Sequence, residues 1–224
     1  MANLQHDGSP FSTYRRTIGD WWDNWIIIVV LGLIWLLSLL TILLFPPATF
    51  GFNYFINRLT NGENVGFQGF LSGARVYWWK SYQWAALNLL IIVVLGGSFL
   101  FYTQAEDLWA VILKWAIVLV AAFWFTDQYY ALPYFMEQRR KQLWLAYKNA
   151  ALTLIVSPGH ALFTLVLAAG MLILNFLIPV MLVLGGPGLL VLYAHNTVRS
   201  RIAAFIEEQN GDPGAHFTAR IYDD

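Results

Sequence analysis

Two histidines are among the few residues of this chain whose chemistry would suit an apolar setting. His160 opens one long apolar stretch and His195 closes the next. If these stretches form adjacent antiparallel helices, both imidazoles lie at one membrane face, which is the geometry of a bis-histidine haem or pigment site. No partner that would orient either ring is evident, so two interfacial histidines are the simpler interpretation.

Lys114 is the only charged side chain inside a predicted membrane span. A charge at that depth is costly, which makes an ion pathway the default hypothesis. However, Lys114 lies about two turns from the predicted outer end of its helix, and Asp107 lies two turns earlier on the same face. We therefore favour snorkelling of the lysine stem, or pairing with Asp107, over an ion pathway.

Signatures of hydrolases, transferases and nucleotide-binding enzymes are absent from the sequence. It contains no H-E-x-x-H, G-x-S-x-G, P-loop, G-x-G-x-x-G or EF-hand pattern. There is no cysteine, which excludes thiolate nucleophiles and thiolate metal sites, and the four histidines are scattered. The formal net charge is zero, so no basic field argues for nucleic acid. We expect no enzymatic activity, no cofactor and no nucleic-acid partner.

The composition indicates the class of protein to which this chain belongs. Hydrophobic residues make up 58% of the chain and charged residues 12%, whereas soluble domains carry about a quarter charged residues. The apolar residues form runs of about twenty, the length of a membrane-spanning helix. The sequence predicts an all-α integral membrane protein, a bundle of about five transmembrane helices with two long amphipathic cytoplasmic loops, in contact with the lipid bilayer.

The predicted order is an interfacial segment at 1–24, a transmembrane domain at 25–198 and a polar cytoplasmic tail at 199–224. Pro46 and Pro47 end the first span because proline disrupts a helix interior. Asn88 and Asn175 lie in apolar surroundings and favour interhelical hydrogen bonds over a substrate site. The spans are predicted at about 26–45, 84–102, 108–126, 159–175 and 176–196.

The last apolar stretch, 159–194, is too long for one spanning helix and barely long enough for two. We place its turn near Asn175. The Gly-Pro cluster at 185–188 then falls inside the fifth span, where it would kink or unwind the helix. The alternative is a turn at the Gly-Pro cluster itself.

The distribution of basic residues predicts an orientation. With five spans, the loops at 46–83 and 127–158 and the C-terminal tail share one side. That side holds ten of the twelve Lys and Arg outside the spans, including Arg139 and Arg140. The positive-inside rule assigns it to the cytoplasm. We expect a multi-pass protein of the cell inner (plasma) membrane, with its N-terminus outside and its C-terminus cytoplasmic.

Several short motifs occur in a fixed order along the chain. They are Trp22, Asn24 and Trp25, then Phe45-Pro46-Pro47-Ala48-Thr49, Arg58-Leu59, Gly62-Glu63, Tyr130-Ala131-Leu132-Pro133 and Lys148-Asn149-Ala150. In this order they resemble the YesL-like family of uncharacterised bacterial integral membrane proteins. The resemblance covers about residues 20–200, and it implies about five spans and an accessory role near carbohydrate uptake. The segment at 134–139 departs from the usual family pattern after the proline.

Three functional hypotheses follow from the sequence. The first is a non-enzymatic accessory or scaffolding subunit that packs against partner subunits of a larger membrane complex. The second is a small homo-oligomeric transporter or channel, with broken helices at Pro46-Pro47 and at 185–188 beside a pathway. The third is a haem- or pigment-binding membrane subunit that uses His160 and His195.

Overall fold

The computed structural model describes residues 10–63, 65–105, 107–156, 158–177 and 185–211. This part of the chain is all-α and contains no strand. A short 3-10 helix, Leu39–Thr41, follows the first α-helix. The α-helices are α1 (Pro10–Ser38), α2 (Phe45–Thr60), α3 (Gly66–Val76), α4 (Trp78–Thr103), α5 (Leu108–Glu137), α6 (Leu143–Val156), α7 (Pro158–Leu177) and α8 (Gly186–Gly211).

Three helical segments in the described residues are long and apolar enough to cross a membrane: Phe11–Thr41, Trp78–Thr103 and Leu108–Glu137. They confirm the prediction of an all-helical, membrane-embedded protein, while the number of five spans stays a prediction. The second and third predicted spans lie inside α4 and α5. α5 continues about three turns beyond residue 126, where the third span was predicted to end. The residues from 127 to 137, predicted as the start of a loop, are therefore helical.

α4 and α5 form an antiparallel hairpin whose outer part packs little against the rest of the described chain. Exposed apolar side chains occur on several sides of both helices. A helix that is apolar all round is stable only when lipid or other protein covers it. The exposed residues include Leu89, Leu90, Val93, Val94, Leu100 and Phe101 on α4, and Ile112, Trp115, Leu119 and Phe125 on α5.

α2 is the central helix of the packed body. It contacts α1, α3, α4, α5 and α8. Its phenylalanines are divided between two hydrophobic clusters: Phe50 packs towards α5 and α6, and Phe52 and Phe55 pack towards α1 and α8. Most residues of α2 are buried. The segment predicted as the start of a cytoplasmic loop is therefore the centre of the fold.

Pro46 and Pro47 lie in the first turn of α2 and do not interrupt a span. Proline suits this position because its missing N–H would have no intrahelical acceptor there. The predicted first span ends at residue 45, whereas α1 ends at Ser38 and the prolines lie in the first turn of the next helix. The break between the two helices is at residues 39–44, and a pathway beside it stays a prediction.

Two glycines allow α2 and α3 to cross closely. A Cβ at Gly51 would lie 2.6 Å from the Phe70 carbonyl oxygen and 3.1 Å from Ala74 Cβ. A Cβ at Gly73 would collide with the Tyr54 side chain. Small residues permit such close approach of helix backbones. Gly51 and Gly73 therefore allow two helices of the same chain, α2 and α3, to pack against each other.

The Gly-Pro cluster starts a helix, and the predicted kink or unwinding inside a fifth span stays a prediction. α7 runs through Asn175 to Leu177, and α8 begins at Gly186. Gly185 has φ = 95°, a left-handed conformation that glycine adopts without strain. Residues 178–184, where the fifth span was predicted to begin, lie outside the described residues, as does the side chain of Asn175.

Candidate functional site

A layer of polar side chains, all buried except the half-buried Asp20, joins α1, α2 and α8. His195, on α8, is fully buried, and its Nε2 lies 3.2 Å from Asn53 Oδ1 on α2. The Asn53 amide nitrogen donates to the Thr49 carbonyl at 2.9 Å. Because the Asn53 oxygen can only accept, His195 Nε2 carries the proton in this bond. We call Thr17, Asp20, Asn53, His195 and Asn196 the polar layer.

The same layer attaches the first half of α1 to α8. The Asn196 amide donates to Thr17 Oγ1 at 3.1 Å and to Asp20 Oδ2 at 3.0 Å. The predicted orientation puts residue 20 outside and residue 196 at the cytoplasmic end of a span. In the structure the two side chains are in direct contact, so the start of α1 and the middle of α8 lie side by side.

The C-terminal end of α2 is held by polar contacts from two other helices. The Asn57 amide donates to Glu137 Oε1 at 2.7 Å, which joins α2 to the end of α5. The Arg199 guanidinium, on α8, donates to the carbonyl oxygen of Thr60. The ends of α2 and α5 therefore lie together, beside α8.

Basic side chains gather at this end of the body, and several are fixed in place. Arg58 pairs with the Glu63 carboxylate at 2.7 Å and bonds to the Tyr54 hydroxyl at 3.0 Å. These two hydrogen bonds raise the pKa of Arg58.

The connection from α5 to α6 adds three more basic residues. Lys141 donates to the Met136 carbonyl at 2.7 Å, and burial lowers its pKa. Arg139 and Arg140 are exposed in the connection from α5 to α6.

A second polar cluster lies where the α4–α5 hairpin meets the body. Gln128 Oε1 accepts hydrogen bonds from Trp84 Nε1 at 2.9 Å, Asn88 Nδ2 at 3.2 Å and the Tyr147 hydroxyl at 3.3 Å. Asn88 Oδ1 accepts from Trp124 Nε1 at 3.1 Å. One carbonyl oxygen thus connects α4, α5 and α6. Asn88 makes the interhelical bonds that the sequence favours over a substrate site.

Asp127 is a buried carboxylate next to this cluster. Its residue is 3% exposed, and its Oδ1 has no hydrogen-bond partner among the described residues. No salt bridge to Asp127 is formed in this part of the chain. An ionisable group in such a position on a membrane helix is a functional candidate by default. The sequence interpretation missed it because the third span was ended at residue 126.

His195, one of the two histidines considered for a haem or pigment site, is buried inside the protein. It lies on α8 against α2, and its Nε2 is engaged by Asn53. Its level relative to the membrane surface stays a prediction. The side chain of His160 lies outside the described residues. Within the described part, no group of three or more His, Cys, Asp or Glu could hold a metal ion.

Lys114 and Asp107, for which the sequence leaves pairing open beside snorkelling, do not form an ion pair. Asp107 Oδ2 accepts a hydrogen bond from Trp109 Nε1 at 3.2 Å. Lys114 takes part in neither of the salt bridges formed by the described residues, which removes pairing with Asp107 as its explanation. Snorkelling to the interface remains the interpretation that suits a lysine near a helix end.

Comparison with known proteins does not place this chain in a family. No family model, no curated protein and no solved structure matches it. The resemblance to the YesL-like family therefore stays an expectation from the sequence motifs.

Proposed function

We propose that this protein is a non-enzymatic accessory or scaffolding subunit of a larger membrane complex. The observation that carries the proposal is the α4–α5 hairpin. Its apolar side chains are exposed on several sides, and the described helices outside it cover little of its outer part. A hairpin of this kind offers two helix surfaces to the membrane-embedded helices of partner subunits.

The polar residues of the body support a structural role. Most side-chain polar groups of the polar layer and of the Gln128 cluster are used in bonds between helices. Such bonds fix the relative positions of helices and give a rigid body. A rigid body attached to an exposed apolar hairpin is the architecture expected of a scaffold.

The membrane in which the protein lies and the process that it serves are also proposals. We propose the cell inner (plasma) membrane, because arginines that include Arg58 and Arg199 gather at one end of the body, as the positive-inside rule expects for a cytoplasmic face. The YesL-like resemblance adds carbohydrate uptake as the process that such a subunit would serve.

Co-purification in mild detergent, followed by mass spectrometry, tests the scaffold proposal. Leu89→Ala combined with Val93→Ala shortens two exposed side chains one helical turn apart on α4. We expect this pair to lower partner recovery about fivefold, which corresponds to roughly 1 kcal/mol of lost helix packing.

The matched control is Leu162→Ala combined with Val166→Ala, an equally spaced and equally exposed apolar pair on α7. It should leave recovery unchanged. Isolation of the unaltered protein as a lone monomer, with no associated subunit, would contradict the proposal.

Asp127 favours a second candidate, a small transporter or channel. Buried carboxylates without a charged partner serve in membrane proteins as carriers of protons or cations. If Asp127 has this role, purified protein in vesicles should transport protons or monovalent cations. Asp127→Asn should then reduce the flux at least tenfold, because the amide cannot exchange a proton.

The control for this experiment is Asp107→Asn, which alters an exposed carboxylate at the hairpin turn. It should leave the flux unchanged. Vesicles that remain impermeable with the unaltered protein would remove the transporter and leave Asp127 with a structural role.

A further inference from the structure

We propose that α1 and α2 form a re-entrant hairpin that dips into the lipid bilayer and returns to the face it entered from. The start of α1, the end of α2 and the exposed Arg pair at 139–140 would then share one membrane face. The α4–α5 hairpin would cross to the other face. The inference concerns the path of the chain and does not depend on the proposed accessory function.

The first step is the length of the apolar helix in α1. Asn24 has φ = −126° and ψ = 17°, which is not helical, so α1 consists of two helices joined at a kink. The apolar helix after the kink extends to Ser38, and the 3-10 helix Leu39–Thr41 continues it, so the apolar part is about 17 residues or roughly 27 Å long. The hydrocarbon core is about 30 Å thick, so this segment is at the short end of the spanning range, and its length is compatible with a hairpin that does not complete a crossing.

The second step is the return of the chain along α1. The Trp35 indole, near the end of α1, donates to Thr49 Oγ1 in the first part of α2 at 2.9 Å. Phe52, further along α2, belongs to the same hydrophobic cluster as Ile28, which is earlier in α1. α2 therefore runs antiparallel to α1, towards the level where α1 began.

The third step is the contact that holds the two ends of the hairpin together. α8 binds the first half of α1 through Asn196, which donates to Asp20 at 3.0 Å. Three residues later on α8, Arg199 donates to the last residue of α2, Thr60. About one helical turn separates these contacts. If α1 crossed the membrane and α2 lay beyond it, their outer ends could not meet on one turn of α8.

The tip of the hairpin, residues 39–44, is apolar and exposed. Leu40 and Ile42 are each 82% exposed. Ile42 also has φ = 49°, a left-handed conformation that is rare for a β-branched residue. The backbone therefore presents an isoleucine outward at a position that would suit glycine or asparagine in water.

The occupant of this surface is the lipid bilayer, because the tip is continuous with the lipid-facing surface of α4. The Tyr82 hydroxyl, near the start of α4, donates to the Leu43 carbonyl at 2.7 Å. Trp78 and Trp79, one turn earlier on α4, are exposed. Trp and Tyr concentrate at the boundary between headgroups and acyl chains. The tip therefore lies at the level of these aromatic residues, so the hairpin inserts shallowly, to the boundary between headgroups and acyl chains.

Sided labelling of single cysteines tests the path of the chain, and the protein offers a background without cysteine. We expect Arg15→Cys and Asn61→Cys to react with a membrane-impermeant maleimide from the same side of sealed membranes. Gln104→Cys, at the hairpin turn, should react from the opposite side. All three positions are exposed. Reaction of Arg15→Cys and Asn61→Cys from opposite sides would overturn the proposal.

Lipid contact of the tip is tested with purified protein in vesicles, where no partner subunit is present. Ile42→Cys carrying a bimane fluorophore should be quenched by lipids brominated on their acyl chains, and it should react with aqueous maleimide at least tenfold more slowly than Asn61→Cys. Leu40→Cys provides a second position if the first variant folds poorly. Fast aqueous reaction at both positions, or no quenching, would contradict insertion into lipid and leave a protein-covered or solvent-exposed tip.

Discussion

Gln128→Leu is expected to lower the free energy of unfolding by about 1–3 kcal/mol, although the substitution changes little in side-chain volume. Gln128 Oε1 is the common acceptor for Trp84, Asn88 and Tyr147. Leucine would leave the Trp84 indole without this acceptor and would remove one bond each from Tyr147 and Asn88, although Asn88 Nδ2 keeps its bond to the Trp84 carbonyl at 2.9 Å. A buried unsatisfied donor costs about 1–3 kcal/mol. The loss is partly offset, because the Gln128 amide nitrogen has no partner among the described residues and is removed by the same change.

The measurement is unfolding in a denaturing detergent, followed by tryptophan fluorescence. Gln104→Leu, an exposed glutamine at the hairpin turn, is the matched control and should change stability by less than about 0.5 kcal/mol. Trp84→Phe should cost less in the Gln128→Leu protein than in the unaltered one, because its bond is already lost. Equal stabilities of Gln128→Leu and the control would show that the cluster contributes nothing.

Val94→Arg is expected to lower the amount of protein in the membrane strongly. Val94 lies near the middle of the apolar part of α4 and is exposed. If lipid or partner helices surround it, a guanidinium there costs about 2.5–3.5 kcal/mol of insertion free energy. The variant should accumulate at a much lower level in membranes, and the remaining protein should be more easily extracted by alkali.

Val76→Arg is the control for this prediction. Val76 is at the end of α3, is even more exposed than Val94, and lies outside the three apolar segments. An arginine at a helix C-terminus is also compatible with the helix dipole. We therefore expect normal membrane levels for Val76→Arg. Equal levels of the two variants would mean that α4 is not in the membrane.

The apolar hairpin could be predicted from the sequence because its signal is local. Two apolar runs separated by a few polar residues at 103–107 can form only an antiparallel pair of helices. Likewise, Asn61 and Gly62 mark a turn, and Gly62 adopts φ = 80° between α2 and α3. Local patterns of hydrophobicity and turn residues were sufficient for these elements.

The polar layer could not be predicted, because its contacts join residues far apart in the sequence. His195 bonds to Asn53, 142 residues earlier, and Asn196 bonds to Asp20, 176 residues earlier. The available signal was the spacing of Asn53 and Asn57, four residues apart on one face of an apolar helix. The sequence interpretation assigned this segment to a loop surface, and its asparagines were not considered as interhelical donors.

The predicted orientation depends on how many apolar runs cross the membrane completely, and it stays a prediction. The positive-inside rule gives an outside N-terminus only if all five runs cross. The first apolar helix ends at Ser38, before the predicted end of its span at residue 45, and α2 then returns along it. A hairpin that returns at α2 would place Arg15 and Arg16 with the other basic residues, which agrees with the charge rule better than five crossings do.

The most direct test of the accessory function is photo-crosslinking in living cells from the α4–α5 hairpin. A photoreactive amino acid at Val94, which points outward from α4, would report what covers the hairpin. The scaffold proposal predicts a discrete crosslinked product with one membrane protein, and no such product from the same probe at Gly62, in the exposed turn after α2. Crosslinks to lipid alone at Val94 and at neighbouring exposed positions of the hairpin would contradict it.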